Sequence, residues 1–254
     1  MAVAILMPAF NEVSVLAETL TTICASAPAL GGITVFLVDD GSEHPIVASA
    51  LPAPTPAFSV VLARHGVNLG QGAALETARR LALSWAEPEA FDAYVTMDAD
   101  GQHRIEDLRA LVDALASGAD VALGSRFRGR SNVPTVRRMV LFAARLFERI
   151  ITGLSLSDAH NGYRAFTRRA LERVQIRENR MAHATELTMQ ISRAAQSPKP
   201  NDLAKAESSP RLRVVEVPVS IRYTDYSRGK GQASLGAFTI LRDLFYRYLF
   251  EGPR

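Results

Sequence analysis

Short apolar runs alternate with amphipathic segments along the first 125 residues, and this alternation constrains the fold most strongly. Each run has the length of a buried strand, and each segment between runs repeats its apolar residues at helical spacing. The runs cover residues 3–7, 33–38, 58–63, 93–97 and 121–123, and the helical segments cover residues 13–25, 72–85 and 105–116. Such alternation is typical of βαβ units. The sequence therefore predicts an α/β fold with a mostly parallel central sheet flanked by helices.

Polar motifs follow the first four predicted strands. Asn11 and Glu12 follow the first, Asp39 and Asp40 the second, residues 68–72 the third, and Asp98 the fourth. Ligands of open α/β sheets bind at the carboxyl ends of the strands. Because all four motifs fall at this one edge, we expect them to form a single site.

Asp98 and Asp100 are the strongest candidates for metal ligands. Magnesium prefers oxygen ligands and needs only one or two carboxylates when substrate phosphates supply the rest. The pair therefore points to a substrate that carries phosphate. An ordinary turn explains the same residues, since Asp and Gly favour tight reversals after strands.

The motifs after the second and third strands have two interpretations each. Asp39 and Asp40 are strong acceptors for a ribose or a base, but Asp40 or Ser42 also suits the N-cap of a helix at 43–50. Gly70 and Gly72 allow a close approach of backbone to an anion. The chain has neither a P-loop nor a Gly-x-Gly-x-x-Gly after its first strand. Kinase-like ATPase and nicotinamide dehydrogenase functions are therefore disfavoured.

The second half of the chain is basic. Residues 126–193 hold 14 Lys or Arg against 5 Asp or Glu, whereas residues 1–125 hold 5 against 15. A basic region attracts phosphates of a nucleotide, a nucleic acid or an anionic membrane, although a solvated arginine-rich surface is the plain alternative. We predict helices at 137–151, 181–194 and 235–250, a mobile insert at 196–210, and a strand at 213–221 with Pro218 at an edge or bulge.

Composition limits the setting. Cys24 is the only cysteine, so an internal disulfide is excluded and a reducing, cytoplasmic location is expected. The apolar stretch at 139–156 contains three charged residues, which disfavours a membrane-spanning helix. We expect the helix at 137–151 to pack its apolar face on the sheet and to expose a basic rim that contacts the inner face of the membrane. This predicts peripheral attachment to the membrane. We expect one domain over residues 1–254, with a nucleotide-binding half at 1–125 and an acceptor-side half at 126–254.

Several motifs together resemble a known family. Residues 8–12 read Pro-Ala-Phe-Asn-Glu, residues 38–42 read Val-Asp-Asp-Gly-Ser, residues 68–72 read Asn-Leu-Gly-Gln-Gly, and residues 97–103 read Met-Asp-Ala-Asp-Gly-Gln-His. With residues 124–126 and 158–164, they resemble the family 2 glycosyltransferases of the GT-A fold, over roughly residues 3–235. The resemblance is greatest to the subgroup that transfers sugars to polyprenyl phosphates, such as the dolichol-phosphate mannosyltransferases.

This resemblance implies a nucleotide-sugar donor, either a UDP-sugar or a GDP-sugar, and a set of residues around it. It implies Mg²⁺ or Mn²⁺ held on the diphosphate by Asp98, Asp100 and Gln102. The implied donor-binding residues are Pro8, Phe10, Asn11, Glu12, Asp39, Asp40, Gly41, Asn68, Gly70, Gly72, Asp98, Arg228 and Lys230.

The resemblance also implies a reaction. A single displacement inverts the anomeric centre, and Arg126 with the 228–230 segment stabilises the leaving diphosphate. A polyprenyl phosphate acceptor needs no base, whereas a glycan hydroxyl in cell-envelope polysaccharide synthesis requires a carboxylate, for which Asp158 and Glu186 are candidates. Asn161 stands where the subgroup more often has serine. The chain lacks the Gln-x-x-Arg-Trp motif of processive polysaccharide synthases, so processive synthesis is not expected.

Two other functional classes remain open from the sequence. Asp98-Ala99-Asp100-Gly101 also resembles the motif of haloacid-dehalogenase phosphatases, although there it opens the fold instead of following three sheet units. The basic region suggests a nucleic-acid-binding protein, but no recognisable module supports that interpretation. Phosphatase activity without a nucleotide sugar, or salt-sensitive DNA binding, would favour these alternatives.

Overall fold

The computed structural model describes residues 1–85, 90–127, 156–158, 161–179, 182–196 and 210–222. Its described strands form one seven-stranded sheet to which both halves of the chain contribute. The strand order is β3-β2-β1-β4-β6-β5-β7. The strands are β1 Val3–Ala9, β2 Ile33–Asp39, β3 Phe58–Arg64, β4 Ala93–Thr96, β5 Val121–Ser125, β6 Arg164–Phe166 and β7 Val214–Pro218.

The sheet is mostly parallel, as the alternation predicted. β1 pairs in parallel with β2 and β4, β2 with β3, and β5 with β7, whereas β6 runs antiparallel between β4 and β5. The register sets Ala9 opposite Asp39 and Asp39 opposite Arg64. The first three strands therefore end level with one another, and their loops begin at the same edge.

Five described helices cover the two faces of the sheet. They are α1 Val13–Leu30, α2 Gln71–Leu83, α3 Leu108–Ala116, α4 Arg168–Glu172 and α5 Ala182–Ala195, and a 3₁₀ turn at Ile105–Asp107 leads into α3. The first helix runs further than predicted and ends at Gly31, whose φ of +84° suits a glycine. The predicted helices at 72–85, 105–116 and 181–194 match α2, the turn with α3, and α5.

Alternate strand residues fill two apolar layers. Ile5 packs on one face with Leu20 and Ile23 of α1. Leu6 packs on the other face with Ala78 of α2 and Ile191 of α5. Because side chains alternate along a strand, each central strand supplies both layers.

Within the part of the chain that the structure describes, α1 alone is long and apolar enough to cross a membrane by length and composition. Its buried side chains are Leu16, Thr19, Leu20, Ile23 and Ala27, and the apolar ones belong to the core layer on that face of the sheet. Packing on the sheet accounts for this apolar stripe, as in many core helices of α/β proteins.

Some predictions need correction, and others fall outside the described residues. The capping alternative for Asp40 and Ser42 is wrong, because only a 3₁₀ turn at Ala48–Ala50 forms in that region and Val47 precedes it. The predicted strand at 213–221 is shorter, and Pro218 ends it at the edge of the sheet. The predicted helices at 137–151 and 235–250, and residues 197–209 of the predicted insert, lie outside the described residues.

Candidate active site

The loops after β1 and β2 are joined by hydrogen bonds at the carboxyl edge. The backbone N–H of Asn11 donates to Ser42 Oγ at 2.9 Å, and Asn11 Oδ1 accepts from the backbone N–H of Glu43 at 3.0 Å. Asn11 adopts a left-handed backbone with φ of 56°, which asparagine tolerates better than most residues. The two loops therefore form one surface beside the strand ends.

Asp39 is fully buried and organises the loop that follows β2. Its carboxylate accepts hydrogen bonds from the backbone N–H groups of Ser42 at 2.9 Å and Ile46 at 3.1 Å, and from the guanidinium of Arg64. Burial opposes the ionisation of Asp39, but these hydrogen bonds outweigh it and lower the pKa below its usual 3.8. Arg64 pairs with Asp39, and its side chain is 35% exposed whereas that of Asp39 is fully buried.

Asp40 fixes the loop in front of α2. Its two oxygens accept from the backbone N–H groups of Leu69 at 3.0 Å and Gly70 at 2.7 Å, and one also lies 2.7 Å from His65 Nδ1. The loop that carries Asn68, Gly70 and Gly72 is thereby tied to the end of β2. Asn68 itself is exposed on this loop.

Two of the predicted glycines are required by close backbone contacts. A Cβ on Gly41, which has φ of +73°, would lie 2.4 Å from the carbonyl carbon of Val67. A Cβ on Gly72 would lie 2.0 Å from the carbonyl oxygen of Glu178. Gly72 therefore lets the second half of the chain pack directly against the start of α2.

Asp98 follows β4 and is held by two side chains. Asp98 Oδ1 accepts from Gln71 Nε2 at 2.9 Å, and Asp98 Oδ2 lies 3.2 Å from His103 Nε2. Burial opposes ionisation, but the hydrogen bond and charge of His103, with the charges of His183 and Arg164, lower the pKa of Asp98. About a third of the side chain (35%) remains exposed, so Asp98 is available to a ligand.

Asp100 lies close enough to Asp98 for the two charges to interact. Burial and the negative charges of Asp98 and Glu12 raise the pKa of Asp100 above its usual 3.8, against a hydrogen bond from the Gln102 backbone. Gln102 also folds over Asp100, with Nε2 2.6 Å from Asp100 Oδ2. Burial and repulsion from Asp98 disfavour the ionised form of Asp100, and a bound cation would relieve that repulsion, so this donor set fits a divalent metal.

Within the described ranges, no group of three or more His, Cys, Asp or Glu side chains is arranged to hold a metal ion. Two carboxylates and the amide oxygen of Gln102 leave most positions around a metal to other ligands. Diphosphate oxygens suit those positions, because Mg²⁺ commonly takes one or two carboxylates together with substrate phosphates.

Two cavities flank the aspartate pair. The larger, of about 170 Å³, places Pro8, Asp98, Arg164 and His183 around one space. The smaller, of about 80 Å³, lies against α1 and includes Asp100. One cavity thus brings Asp98 together with Arg164 and His183, and the other places Asp100 beside α1.

Arg126 and Asp158, both predicted catalytic residues, are brought together as a pair. The guanidinium of Arg126 donates to both oxygens of the Asp158 carboxylate at 2.7 Å, and the Arg126 backbone N–H donates at 3.0 Å. Asn161 Nδ2 donates to Asp158 at 3.3 Å, and Asn161 Oδ1 accepts from the Tyr163 backbone N–H at 3.0 Å. The asparagine that departs from the subgroup pattern therefore bridges Asp158 to β6.

Glu186 occupies a different place from the one expected of a base. Its Oε2 accepts hydrogen bonds from the backbone N–H groups of Arg177 and Glu178, both at 2.9 Å. The wall of the Asp98 cavity is formed instead by His183, one turn earlier on α5. Glu186 thus holds the segment that packs against Gly72.

Sequence reasoning missed four residues that surround Asp98. Gln71, His103 and Arg164 lie inside the quoted motifs but are assigned no role there, and His183 lies in the predicted helix at 181–194. Only the position of Gln71 and His103 within motifs that meet at the strand ends signalled them. Of the other predicted residues, Phe10 is exposed at the edge, and Arg228 and Lys230 lie outside the described residues.

Comparison with solved structures supports the fold. Glucosyl-3-phosphoglycerate synthase from Mycobacterium tuberculosis, solved in complex with Mn²⁺, uridine diphosphate and phosphoglyceric acid, matches with a TM-score of 0.55 and 15% identity, over 97% of this chain and 78% of that one. At this identity the likeness shows the fold, which is the GT-A fold predicted from the motifs.

Sequence relatives are found in bacteria and archaea. The chain is 29% identical to an uncharacterized protein of Methanocaldococcus jannaschii, over 97% of this chain and 92% of that protein. It is 29% identical to the undecaprenyl-phosphate mannosyltransferase of Micrococcus luteus, over 93% and 89%. It is 30% identical to the polyprenol monophosphomannose synthase of Mycolicibacterium smegmatis, over 68% and 64%.

The model of the family described as "Glycosyl transferase family 2" matches residues 4–175, which include every motif from Pro8 to Arg164. This match supersedes the phosphatase and nucleic-acid-binding alternatives. The chain belongs to glycosyl transferase family 2 and is a glycosyltransferase with the GT-A fold.

Proposed function

We propose that this enzyme transfers a sugar from a UDP- or GDP-sugar to a polyprenyl phosphate, with inversion at the anomeric carbon. The observation that carries the proposal is the charged pair Asp98 and Asp100 at the edge where the loops of four strands converge. The names of two relatives, an undecaprenyl-phosphate mannosyltransferase and a polyprenol monophosphomannose synthase, support the acceptor class.

The donor side of the proposal rests on the electrostatics of the aspartate pair. Asp98, Asp100 and Gln102 would hold Mg²⁺ or Mn²⁺, and a bound metal neutralises charge on the leaving diphosphate as a Lewis acid. The burial of Asp100 beside the negative charge of Asp98, which raises the pKa of Asp100, supports this assignment. The loops at Asn11, Asp39 and Asn68 surround the position proposed for the nucleoside.

The acceptor side rests on how the candidate bases are engaged. Asp158 receives two guanidinium N–H groups from Arg126, and Glu186 receives two backbone N–H groups. These donors already occupy both oxygens of Asp158 and Oε2 of Glu186, so a hydroxyl proton would have to displace them. An acceptor phosphate is already anionic and needs no base, which favours a polyprenyl phosphate over a glycan hydroxyl.

Arg126 supplies positive charge on this side of the site. Its side chain is held by Asp158 in a fixed, two-point geometry, which preorganises the guanidinium for an anionic group. We assign Arg126 to stabilising the phosphates that meet there, with Arg228 and Lys230 as further proposed contacts to the donor.

The direct test is transfer by the purified full chain to undecaprenyl phosphate in detergent. UDP- and GDP-sugars are supplied in turn with Mn²⁺, Mg²⁺ or EDTA, and the lipid-linked product is identified by mass spectrometry. We expect product with one donor and a divalent metal, and none with EDTA. NMR of the product gives its anomeric configuration, which should be opposite to that of the donor.

A matched pair of variants tests the role of Asp98. Asp98→Asn should lower the rate about 100-fold or more, since losing several kcal/mol of charge stabilisation has that effect. Asp113→Asn removes an exposed carboxylate of α3 that pairs with Arg109, and its rate should remain near wild type. Sugar transfer to a glycan hydroxyl without lipid-linked product would contradict the acceptor, and absence of any nucleotide binding would refute the proposal.

The acceptor also bears on location, for which we propose a cytoplasmic enzyme attached peripherally to the inner face of the membrane. Co-sedimentation with vesicles of neutral and anionic phospholipid tests this attachment. Binding that increases with the anionic fraction and weakens with salt is the expected result. A chain that stays in the supernatant with every composition would argue against peripheral attachment.

A further inference from the structure

The two oxygens of the Asp98 carboxylate lie in unlike surroundings. Oδ1 faces Gln71, an exposed residue at the first position of α2. Oδ2 faces His103, whose side chain is only 3% exposed. Gly162 closes the same side, since a Cβ added there would lie 2.8 Å from Oδ2.

His103 is fixed from several directions. Its ring packs on Tyr163 with centroids 4.7 Å apart, and the Tyr163 hydroxyl donates to the Arg104 carbonyl at 3.2 Å. The backbone of His103 pairs with Ile221, and the adjacent Gln102 carbonyl accepts from the Arg222 N–H. The imidazole therefore has little room to move away from Asp98.

Gln71 is the weaker partner of the two. It is an exposed, neutral amide, so the hydrogen bond that it donates to Asp98 competes with water. The attraction between a divalent cation and a carboxylate oxygen is far stronger than a hydrogen bond from a neutral amide. We therefore expect a bound cation to displace Gln71 from Asp98.

We infer that His103 is the positioning residue that fixes Asp98 for metal binding, and that Gln71 occupies the oxygen that the metal takes. The inference rests on the proposed role of Asp98 as a metal ligand. The hydrogen bond from His103 Nε2 to Oδ2 sets the carboxylate plane, as outer partners of metal ligands commonly do. Oδ1 then faces the open side, where the donor arrives.

The test measures Mn²⁺ binding by electron paramagnetic resonance, on the full chain with UDP or GDP present. His103→Phe keeps a ring against Tyr163 and removes the donor, so it should weaken Mn²⁺ binding about 10- to 100-fold. His103→Gln keeps an amide donor near the Nε2 position and should restore most of that loss. Gln71→Leu should leave Mn²⁺ affinity within about twofold of wild type or tighten it.

Thermal unfolding of each variant without metal shows whether the fold is retained. Should His103→Phe unfold, His103→Leu and His103→Gln make the same comparison without an aromatic ring. Wild-type Mn²⁺ affinity in His103→Phe would overturn the positioning role of His103. A loss of Mn²⁺ affinity in Gln71→Leu as large as that in His103→Phe would overturn the different roles assigned to His103 and Gln71. Asp98→Asn distinguishes a failure of the proposed metal site from a failure of the positioning role of His103. If Asp98→Asn binds Mn²⁺ as tightly as wild type, the proposed metal site itself is refuted.

Discussion

Glu76 of α2 joins the two halves of the chain through a buried ionic cluster. Its side chain is 9% exposed and accepts two hydrogen bonds from Arg79, both at 2.8 Å. It also accepts from Arg80 Nε at 2.7 Å and from the backbone N–H of Ile176 at 3.1 Å. Ile176 belongs to the second half, so Glu76 connects α2 to the segment that packs against Gly72.

Replacing Glu76 with Gln should destabilise the fold by about 2–4 kcal/mol. The amide keeps one acceptor oxygen and presents an NH₂ group to donors, so either a guanidinium pair or the buried Ile176 N–H is left unsatisfied. An unsatisfied buried donor costs about 1–3 kcal/mol, and hydrogen bonds to charged groups contribute about 1.5–3 kcal/mol. Arg80 adds little because its side chain is 67% exposed.

Urea and thermal unfolding of the full chain measure this loss. For a chain of this size, each kcal/mol lowers Tm by about 2–4 °C, so a decrease of roughly 4–16 °C is expected. Glu172→Gln is the matched control, because Glu172 forms an exposed ion pair with Arg168 at 2.8 Å. That variant should lose less than about 1 kcal/mol.

The pH dependence gives a second measurement. Burial raises the pKa of Glu76, but the hydrogen bonds from Arg79, Arg80 and Ile176 outweigh it and lower the pKa below 4.5. A lowered folded pKa means that the ionised group stabilises the fold above about pH 4.5 and loses this effect as pH falls through the folded value. The difference in the free energy of unfolding between wild type and Glu76→Gln should therefore become smaller as the pH falls. Two results would refute this reasoning: an equal loss of stability in Glu76→Gln and Glu172→Gln, or a stability difference between wild type and Glu76→Gln that does not change with pH.

Three further variants test the candidate site. Gly162→Ala should push the Asp98 carboxylate aside, because the added Cβ would lie 2.8 Å from Oδ2, and should lower kcat about tenfold with little change in Tm. Arg126→Lys loses the planar two-point contact with the oxygens of Asp158, and its kcat/KM should fall about 10- to 100-fold. Asp40→Asn loses an acceptor for the loop before α2, so calorimetry should show weaker nucleotide binding and unfolding should show a loss of about 1–3 kcal/mol. Wild-type behaviour in any of the three would contradict the contact concerned.

The fold was predictable where a pattern extends over several residues. Strands β1 to β5 and helices α1 to α3 follow directly from apolar periodicity. Strand β6 and helix α4 were missed, because elements of three and five residues are too short to show a period. The predicted helix at 13–25 falls short of α1, which continues through Pro28 to Leu30 and is capped by Gly31.

The site was predictable in its position and less so in its contacts. Parallel strands that end in polar residues must bring those residues to one edge, so the convergence follows from topology. The partners of Asp158 and Glu186 do not follow from topology, because they depend on which groups the tertiary fold brings near these carboxylates. Glu186 meets two backbone N–H groups, and backbone groups carry no signal in a sequence.

The segment at 177–179 connects the second half of the chain to the start of α2. Glu186 holds its N–H groups, the Glu178 carbonyl lies against Gly72, and Asn179 Oδ1 accepts from the Ala73 N–H at 2.9 Å. Gln71, which touches Asp98, lies directly beside this contact. A change in the second half that shifts the segment must therefore shift the start of α2 and with it one partner of Asp98. Through this contact, Glu186 connects the second half of the chain to the start of α2, beside the proposed metal site.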